Sequence, residues 1–169
     1  VQLRFAQLAP HPDQAVGLGQ RFVELGLDPN RPTGLVLFGG HGSNDMLKIA
    51  KALPDRQLIF VAGHNSTLAQ KMAAQSPSLH HLVLGFTKDI DQLMQLSDYF
   101  VGKPGPGSLS EAVHMGLPVI TFRNAATMPQ ERYNTTWVEE NQLGKVIGSV
   151  SAHKALELTA SATLVGDAS

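Results

Sequence analysis

The sequence predicts an α/β domain of Rossmann-like, three-layer form, built on a parallel sheet of about six strands. Three observations predict it. Short runs of β-branched and aromatic residues recur along the chain. They alternate with stretches of helical spacing about ten residues long. The runs are also apolar at nearly every position rather than at every second one. Strands apolar on both faces and separated by helices belong to a parallel sheet covered on both sides. Right-handed crossovers then wind such a chain into a doubly wound layer structure.

Taken in order, residues 1–11 read as a linker stub, because Ala9-Pro10-His11-Pro12 punctuates the start of a first helix. The domain proper spans 12–169. Its first strand is Leu35-Val36-Leu37-Phe38, closed by Gly39-Gly40-His41-Gly42, with a helix over about 44–53. Leu58-Ile59-Phe60-Val61 is the second strand, with a helix over about 66–75, and Leu82-Val83-Leu84 is the third. Ile90, Leu93 and Met94 mark the next helix by their spacing, and Tyr99-Phe100-Val101 is the fourth strand. A helix over about 108–115 leads to Val119-Ile120-Thr121-Phe122, and another over about 131–140 leads to Lys145-Val146-Ile147. A closing helix is expected after Ser151.

Composition narrows the function classes. At 169 residues, 43% hydrophobic and 16% charged, the chain reads as one globular domain with a sizeable core. Its formal net charge is −1 with no long run of Lys or Arg, which argues against a nucleic-acid partner. There is no cysteine, so disulfides and thiolate metal sites are excluded, and a reducing cytoplasm suits the chain. No apolar stretch approaches the roughly 18 residues needed to span a bilayer, and no signal peptide is visible. The chain starts at Val1 rather than Met, from which we expect that upstream sequence has been removed.

Ligands of open parallel sheets collect outside the carboxyl ends of the strands. Four glycine-bearing segments fall at such ends: Gly39-Gly40-His41-Gly42-Ser43, Ala62-Gly63-His64-Asn65, Gly85-Phe86-Thr87 and Gly102-Lys103-Pro104-Gly105-Pro106-Gly107-Ser108. A tight strand-to-helix turn needs glycine on its own account. Several at one edge also let backbone amides and helix N-termini approach a phosphate ester. Ser108 has two readings. It is an ordinary N-cap forming a capping box with Glu111, or it lies at a pyrophosphate-binding helix end with Glu111 accepting from ribose hydroxyls. Gln130, Glu131 and Asn134 form a second polar cluster, which a plain surface helix start would also produce.

Other chemistries find little support. His41 and His64 lie on the rim, His80 and His81 precede a strand, and His114 lies within a helix. With no His-x-x-x-His pair and no acidic cluster, no metal is expected. Neither a Gly-x-Ser-x-Gly elbow nor a Walker loop is present. The dinucleotide fingerprint lacks its third glycine and its ribose-binding acid, so NAD falls behind.

The segments 102–112, Gly116-Leu117-Pro118-Val119-Ile120, Pro129-Gln130-Glu131 and Asn134 together resemble the C-terminal signature of family 28 glycosyltransferases. Within that family the look is closest to monogalactosyldiacylglycerol synthases and diacylglycerol glucosyltransferases. Leu25-Gly26-Leu27-Asp28-Pro29, Gly39-Gly40 and Ala62-Gly63-His64-Asn65 extend the resemblance over about residues 20–148. It implies the C-terminal, donor-binding half of a two-domain glycosyltransferase B fold, the acceptor domain being absent from this chain.

The resemblance also implies roles. Glu111 matches the ribose-binding acid, Gly107 and Ser108 the pyrophosphate-holding helix end, and Phe86 the segment whose backbone reads uracil. Gln130 and Glu131 match the pair that touches the sugar hydroxyls, supported by Asn134. Gly40 and Gly42 match the glycine loop facing the donor phosphates. Met128 and Pro129 depart from the family's Pro-Gly before Gln-Glu, and His41 and His64 stand where other residues are commoner. The implied activity is an inverting hexosyl transfer from a UDP-sugar to a lipid such as diacylglycerol, in glycolipid biosynthesis and without metal or other cofactor. No catalytic residue is expected in this chain, the general base belonging to the missing half. The same half would carry the acceptor site and a peripheral membrane contact of a cytoplasmic enzyme. An epimerase acting on UDP-N-acetylglucosamine and a non-catalytic nucleotide-binding module are the other readings.

Overall fold

The computed structural model describes residues 14–75 and 80–148, and the linker stub and closing helix expected at the ends lie outside them. The described chain runs α1 (Gln14–Glu24), β1 (Thr33–Leu37), α2 (Asp45–Ala52), β2 (Gln57–Val61), α3 (Ser66–Gln75), β3 (His81–Leu84) and α4 (Ile90–Leu96). It continues through β4 (Tyr99–Gly102), α5 (Pro106–His114), β5 (Val119–Phe122), α6 (Pro129–Glu140) and β6 (Gly144–Ile147). All six strands lie in one parallel sheet of order β3-β2-β1-β4-β5-β6.

The two directions of winding separate two cores. Alternate residues of a strand point to opposite faces, so Val36 joins Met46, Ile49, Leu68 and Met72 from α2 and α3. Leu35 and Leu37 join Leu93, Met94, Leu109 and Ala112 from α4 and α5 on the other face. Each of β1 to β5 is buried along its whole length, whereas the edge strand β6 is only part-covered. Burying an aliphatic side chain of this kind contributes roughly 1.5–3 kcal/mol.

Polar groups at the sheet's amino edge are satisfied locally. The buried amide of Gln57 donates to the Asp28 carbonyl (2.9 Å) and to Thr33 Oγ1 (2.8 Å), and accepts from the Asp28 N–H (2.9 Å). Buried His81 approaches the Leu53 carbonyl with Nε2 at 2.8 Å; a carbonyl only accepts, so Nε2 carries the proton. Tyr99 is the exception among the described residues. Its ring fills the space left by Gly34, where a Cβ would fall 2.6 Å from the ring, and its buried hydroxyl has no partner. Burial pushes that hydroxyl up to about 12.

β1 neighbours both β2 and β4, so the chain leaves it in two directions and a crevice opens between the loops that follow β1 and β4. The glycines of the four segments all stand at this carboxyl edge, because every strand points the same way.

Candidate functional site

The first wall of the crevice is a pair of interlocked loops. Gly39, Gly42 and Gly63 have φ of 74°, 62° and 64°, the left-handed region that glycine enters without strain. The His64 N–H donates to the Gly40 carbonyl at 2.9 Å, and a Cβ on Gly63 would fall on that same carbonyl. Asn65 closes the lock. Its Nδ2 donates to the His41 carbonyl (3.1 Å), while its Oδ1 accepts the Leu68 N–H (3.0 Å) and so caps α3. Beyond them the rings line up. His64 stacks on Phe86 with centroids 4.2 Å apart and planes at 19°, and His41 lies 6.1 Å from His64 at 49°. Both histidines and Phe86 are exposed.

The opposite wall is the start of α5, and here local structure differs from the sequence expectation. The helix begins two residues earlier, at Pro106, with Gly105 as N-cap in extended conformation. Proline at the first helical position has its φ preset and no N–H to leave unpaired, which fixes the start there. Ser108 is therefore the third helical residue, and the capping box with Glu111 does not form. No side chain caps this helix, so the Gly107 and Ser108 amides point out of its first turn. Glycine costs a helix roughly 0.5–1 kcal/mol relative to alanine, yet a Cβ at Gly107 would meet nothing within 4 Å. Gly40 across the crevice also faces open space. Neither packing nor φ requires glycine at these two positions, which leave bare backbone on both walls.

Glu111 stands exposed on the second turn of α5, caps nothing, and lines an open groove of about 790 Å³ between α4 and α5. Ile90, Met94 and Met115 give that groove apolar surface, and Lys88, Asp91 and His114 give it polar groups.

The start of α6 completes the rim. Met128 is an extended N-cap without a side-chain cap bond, and Pro129 takes the first helical position, as Pro106 does in α5. The turn before it is laced by Asn124 and Arg132. The Asn124 N–H donates to Thr127 Oγ1 (2.9 Å), and Arg132 Nη2 donates to the Asn124 carbonyl (2.6 Å). Gln130 is exposed. Glu131 is 19% exposed and lies 3.9 Å from Lys103 Nζ. Asn134 is engaged elsewhere, its Nδ2 donating to the Pro104 carbonyl at 2.8 Å and tying α6 to the loop after β4.

The structure thus brings Gly40, Gly42, Gly107 and Ser108 to one crevice, with Glu111 and Phe86 on the α4 and β3 side and Gln130 and Glu131 beyond β5. Sequence reasoning passed over Lys103 and the His64–Phe86 stack. Both depend on adjacency between loops of different strands, and the only linear signal was their position at strand ends. Among the described residues no group of three or more His, Asp or Glu is placed to hold a metal ion.

Residues 35–157 match the glycosyltransferase family 28 C-terminal domain. The chain is 34% identical over 137 residues to the monogalactosyldiacylglycerol synthase of Spinacia oleracea, covering 75% of this chain and 26% of that protein. It is 28% identical over 156 residues to the processive diacylglycerol beta-glucosyltransferase of Bacillus subtilis (strain 168), covering 87% of this chain and 40% of that one. It therefore spans a quarter to two fifths of these relatives. Among solved structures it is similar to WaaG, a glycosyltransferase involved in lipopolysaccharide biosynthesis, with a TM-score of 0.61 at 19% identity over 92% of this chain and 43% of that one. It is also similar to LpCGTa, solved in complex with UDP, with a TM-score of 0.54 at 18% identity over 87% of this chain and 39% of that one.

Proposed function

The chain belongs to glycosyltransferase family 28, as that family's C-terminal domain, and from that premise we propose that it is the donor-binding half of an inverting, UDP-sugar-dependent hexosyltransferase acting on a lipid such as diacylglycerol. The observation that carries the reading is the bare backbone at the switch-point crevice. Gly40 on one wall and the uncapped Gly107–Ser108 turn on the other present amides where a diphosphate needs them. A helix N-terminus carries about half a positive charge and stabilises an anion before it.

The remaining residues sort around that point. Glu111 accepts from the ribose hydroxyls with the nucleoside along the α4–α5 groove, where Phe86 and its neighbours read the base through their backbone. Gln130 and Glu131 take the hexose on the β5 side. The relatives' names point to a galactosyl or glucosyl donor and a diacylglycerol acceptor, and the LpCGTa structure holds UDP in the same fold.

Chemically, the domain contributes binding and charge. Transfer breaks the bond between the anomeric carbon and the diphosphate oxygen, and negative charge grows on that oxygen. Preorganised amides aimed there stabilise it without reorganising during the step. The acceptor hydroxyl attacks from the opposite face and loses its proton to a base that this domain does not supply. No helix among the described residues is long and apolar enough to cross a membrane. In this reading the lipid contact belongs to the acceptor half.

The test is a calorimetric titration of the 169-residue chain with UDP, ADP, GDP and NAD. Binding of UDP in preference to the others is expected; preference for NAD, or no binding of any, rejects the reading. Incubated with labelled UDP-hexose and diacylglycerol vesicles, the chain alone should form no glycolipid. One wall of a cleft cannot hold an acceptor within the roughly 3–3.5 Å that in-line attack requires.

A further inference from the structure

Lys103 follows β4 at the mouth of the crevice, and its half-exposed side chain runs along the crevice rim. The Cε atom passes between two glycines, 3.2 Å from where a Cβ of Gly39 would sit and 3.3 Å from where one of Gly105 would sit. The amine is 3.4 Å from the Gly39 position and 3.9 Å from Glu131 Oε1. A cation is thus laid from the β4 side across to the β1 loop, over the space that the bare backbone borders. Gly39 needs its glycine for a φ of 74°. Gly105 does not, since φ −74° and ψ 145° suit any residue. Its missing side chain leaves the track in which the lysine lies.

As a structural ion pair the contact is weak. It is long, the lysine side chain is 49% exposed, and exposed pairs of this kind contribute little. Glu131 is the more buried partner, and a carboxylate engaged by an ammonium offers fewer lone pairs to a sugar hydroxyl. The other basic side chains of the rim have partners or positions of their own. Arg123 pairs with Glu139, Arg132 donates to the Thr127 and Asn124 carbonyls, Lys88 lines the α4–α5 groove, and the rings of His41 and His64 range toward Phe86.

We propose that Lys103 is the cation that balances the donor's diphosphate, and that donor binding exchanges its partner. The ammonium leaves Glu131 for the phosphate oxygens, and the released carboxylate accepts from a hexose hydroxyl. This rests on the donor-site reading above. In the transfer itself Lys103 forms no covalent bond and passes on no proton. The anomeric carbon–oxygen bond breaks with its electron pair on the diphosphate, the acceptor oxygen forms the new bond, and a base outside this chain takes the acceptor's proton. Lys103 holds the charge that the leaving group gains.

The test compares uridine, UMP and UDP binding to the wild-type chain, Lys103→Met, Lys103→Arg and Glu131→Gln by calorimetry. Loss of one charge-assisted contact corresponds to a drop on the order of ten- to a hundredfold. Lys103→Met should lose that factor for UDP while binding uridine as the wild type does, and Lys103→Arg should recover most of it. Glu131→Gln should bind UDP at least as tightly as the wild type, because the competing carboxylate is gone. Wild-type UDP affinity in Lys103→Met, with a lowered melting temperature, would show the pair to be structural and overturn the inference alone. A wild-type chain that binds neither uridine nor UDP would remove the donor-site reading and the inference with it. If Lys103→Met does not fold, Glu131→Gln decides: UDP binding weakened with uridine binding unchanged would overturn the exchange.

Discussion

The imidazole of His64 lies flat on the ring of Phe86, 4.2 Å between centroids, so the loops after β2 and β3 are joined by their side chains. Stacked rings of this kind contribute about 0.5–1.5 kcal/mol beyond burial. His64→Ala should therefore release the segment expected to read the base and weaken uridine and UDP alike, by about that amount. Calorimetry with both ligands checks this. A loss confined to UDP would instead assign His64 to the phosphates.

Glu111 offers a cleaner case than its spacing suggested. Ser108 is not the N-cap and Glu111 caps nothing, so its side chain is not needed to start the helix. Glu111→Ala should leave the melting temperature unchanged and weaken UDP by about 1–3 kcal/mol. A lowered melting temperature with unchanged affinity would return the residue to a structural role.

Gln130 is exposed at the start of α6, with Nε2 3.7 Å from Met128 Sδ as its side-chain contact. Gln130→Ala should weaken UDP-hexose while leaving UDP nearly unaffected, by about 0.5–1.5 kcal/mol for one hydrogen bond. Equal losses for the two ligands would place Gln130 at the nucleotide instead.

His81 sets a pH dependence remote from the crevice. Burial lowers its pKa below the ordinary 6.5, the bond to the Leu53 carbonyl raises it in part, and neighbouring His80 lowers it again. Below 6.5 the unfolded chain then binds more protons than the folded one, so stability rises with pH. The contribution of neutral His81 is fully present above 6.5 and is lost as pH falls from there toward the lowered native value. Melting temperatures measured from about pH 7 down to about pH 5 should fall, and the fall should be shallower in His81→Gln.

The sheet was legible because β1 to β5 are buried on both faces and read as unbroken apolar runs. The start of α5 was not. Pro106 lies in the glycine-bearing segment expected to precede the helix, while Ser108 and Glu111 offer a capping pattern that the chain does not use. Local signals competed there, and proline's preset φ prevailed. At the site, the glycine loops announced themselves through composition. Lys103 did not, because Gly39 becomes its neighbour only when β4 pairs beside β1. Asn134, expected to support Gln130 and Glu131, donates its Nδ2 to the Pro104 carbonyl, a link between α6 and the loop after β4 that spacing within α6 does not reveal.

The contrast between α3, capped by the Asn65 side chain, and α5 and α6, capped by none, has an engineering consequence. Consensus stabilisation would replace Gly105 or Met128 with Asp or Ser, a change that commonly adds about 0.5–2 kcal/mol. Under the proposed donor site, a cap at residue 105 would sit in the diphosphate's place and one at residue 128 beside the hexose. A thermostabilised version of this domain should therefore be sought on α1 and α3, and a gain in melting temperature from residues 105 or 128 is a warning that affinity has been traded for it.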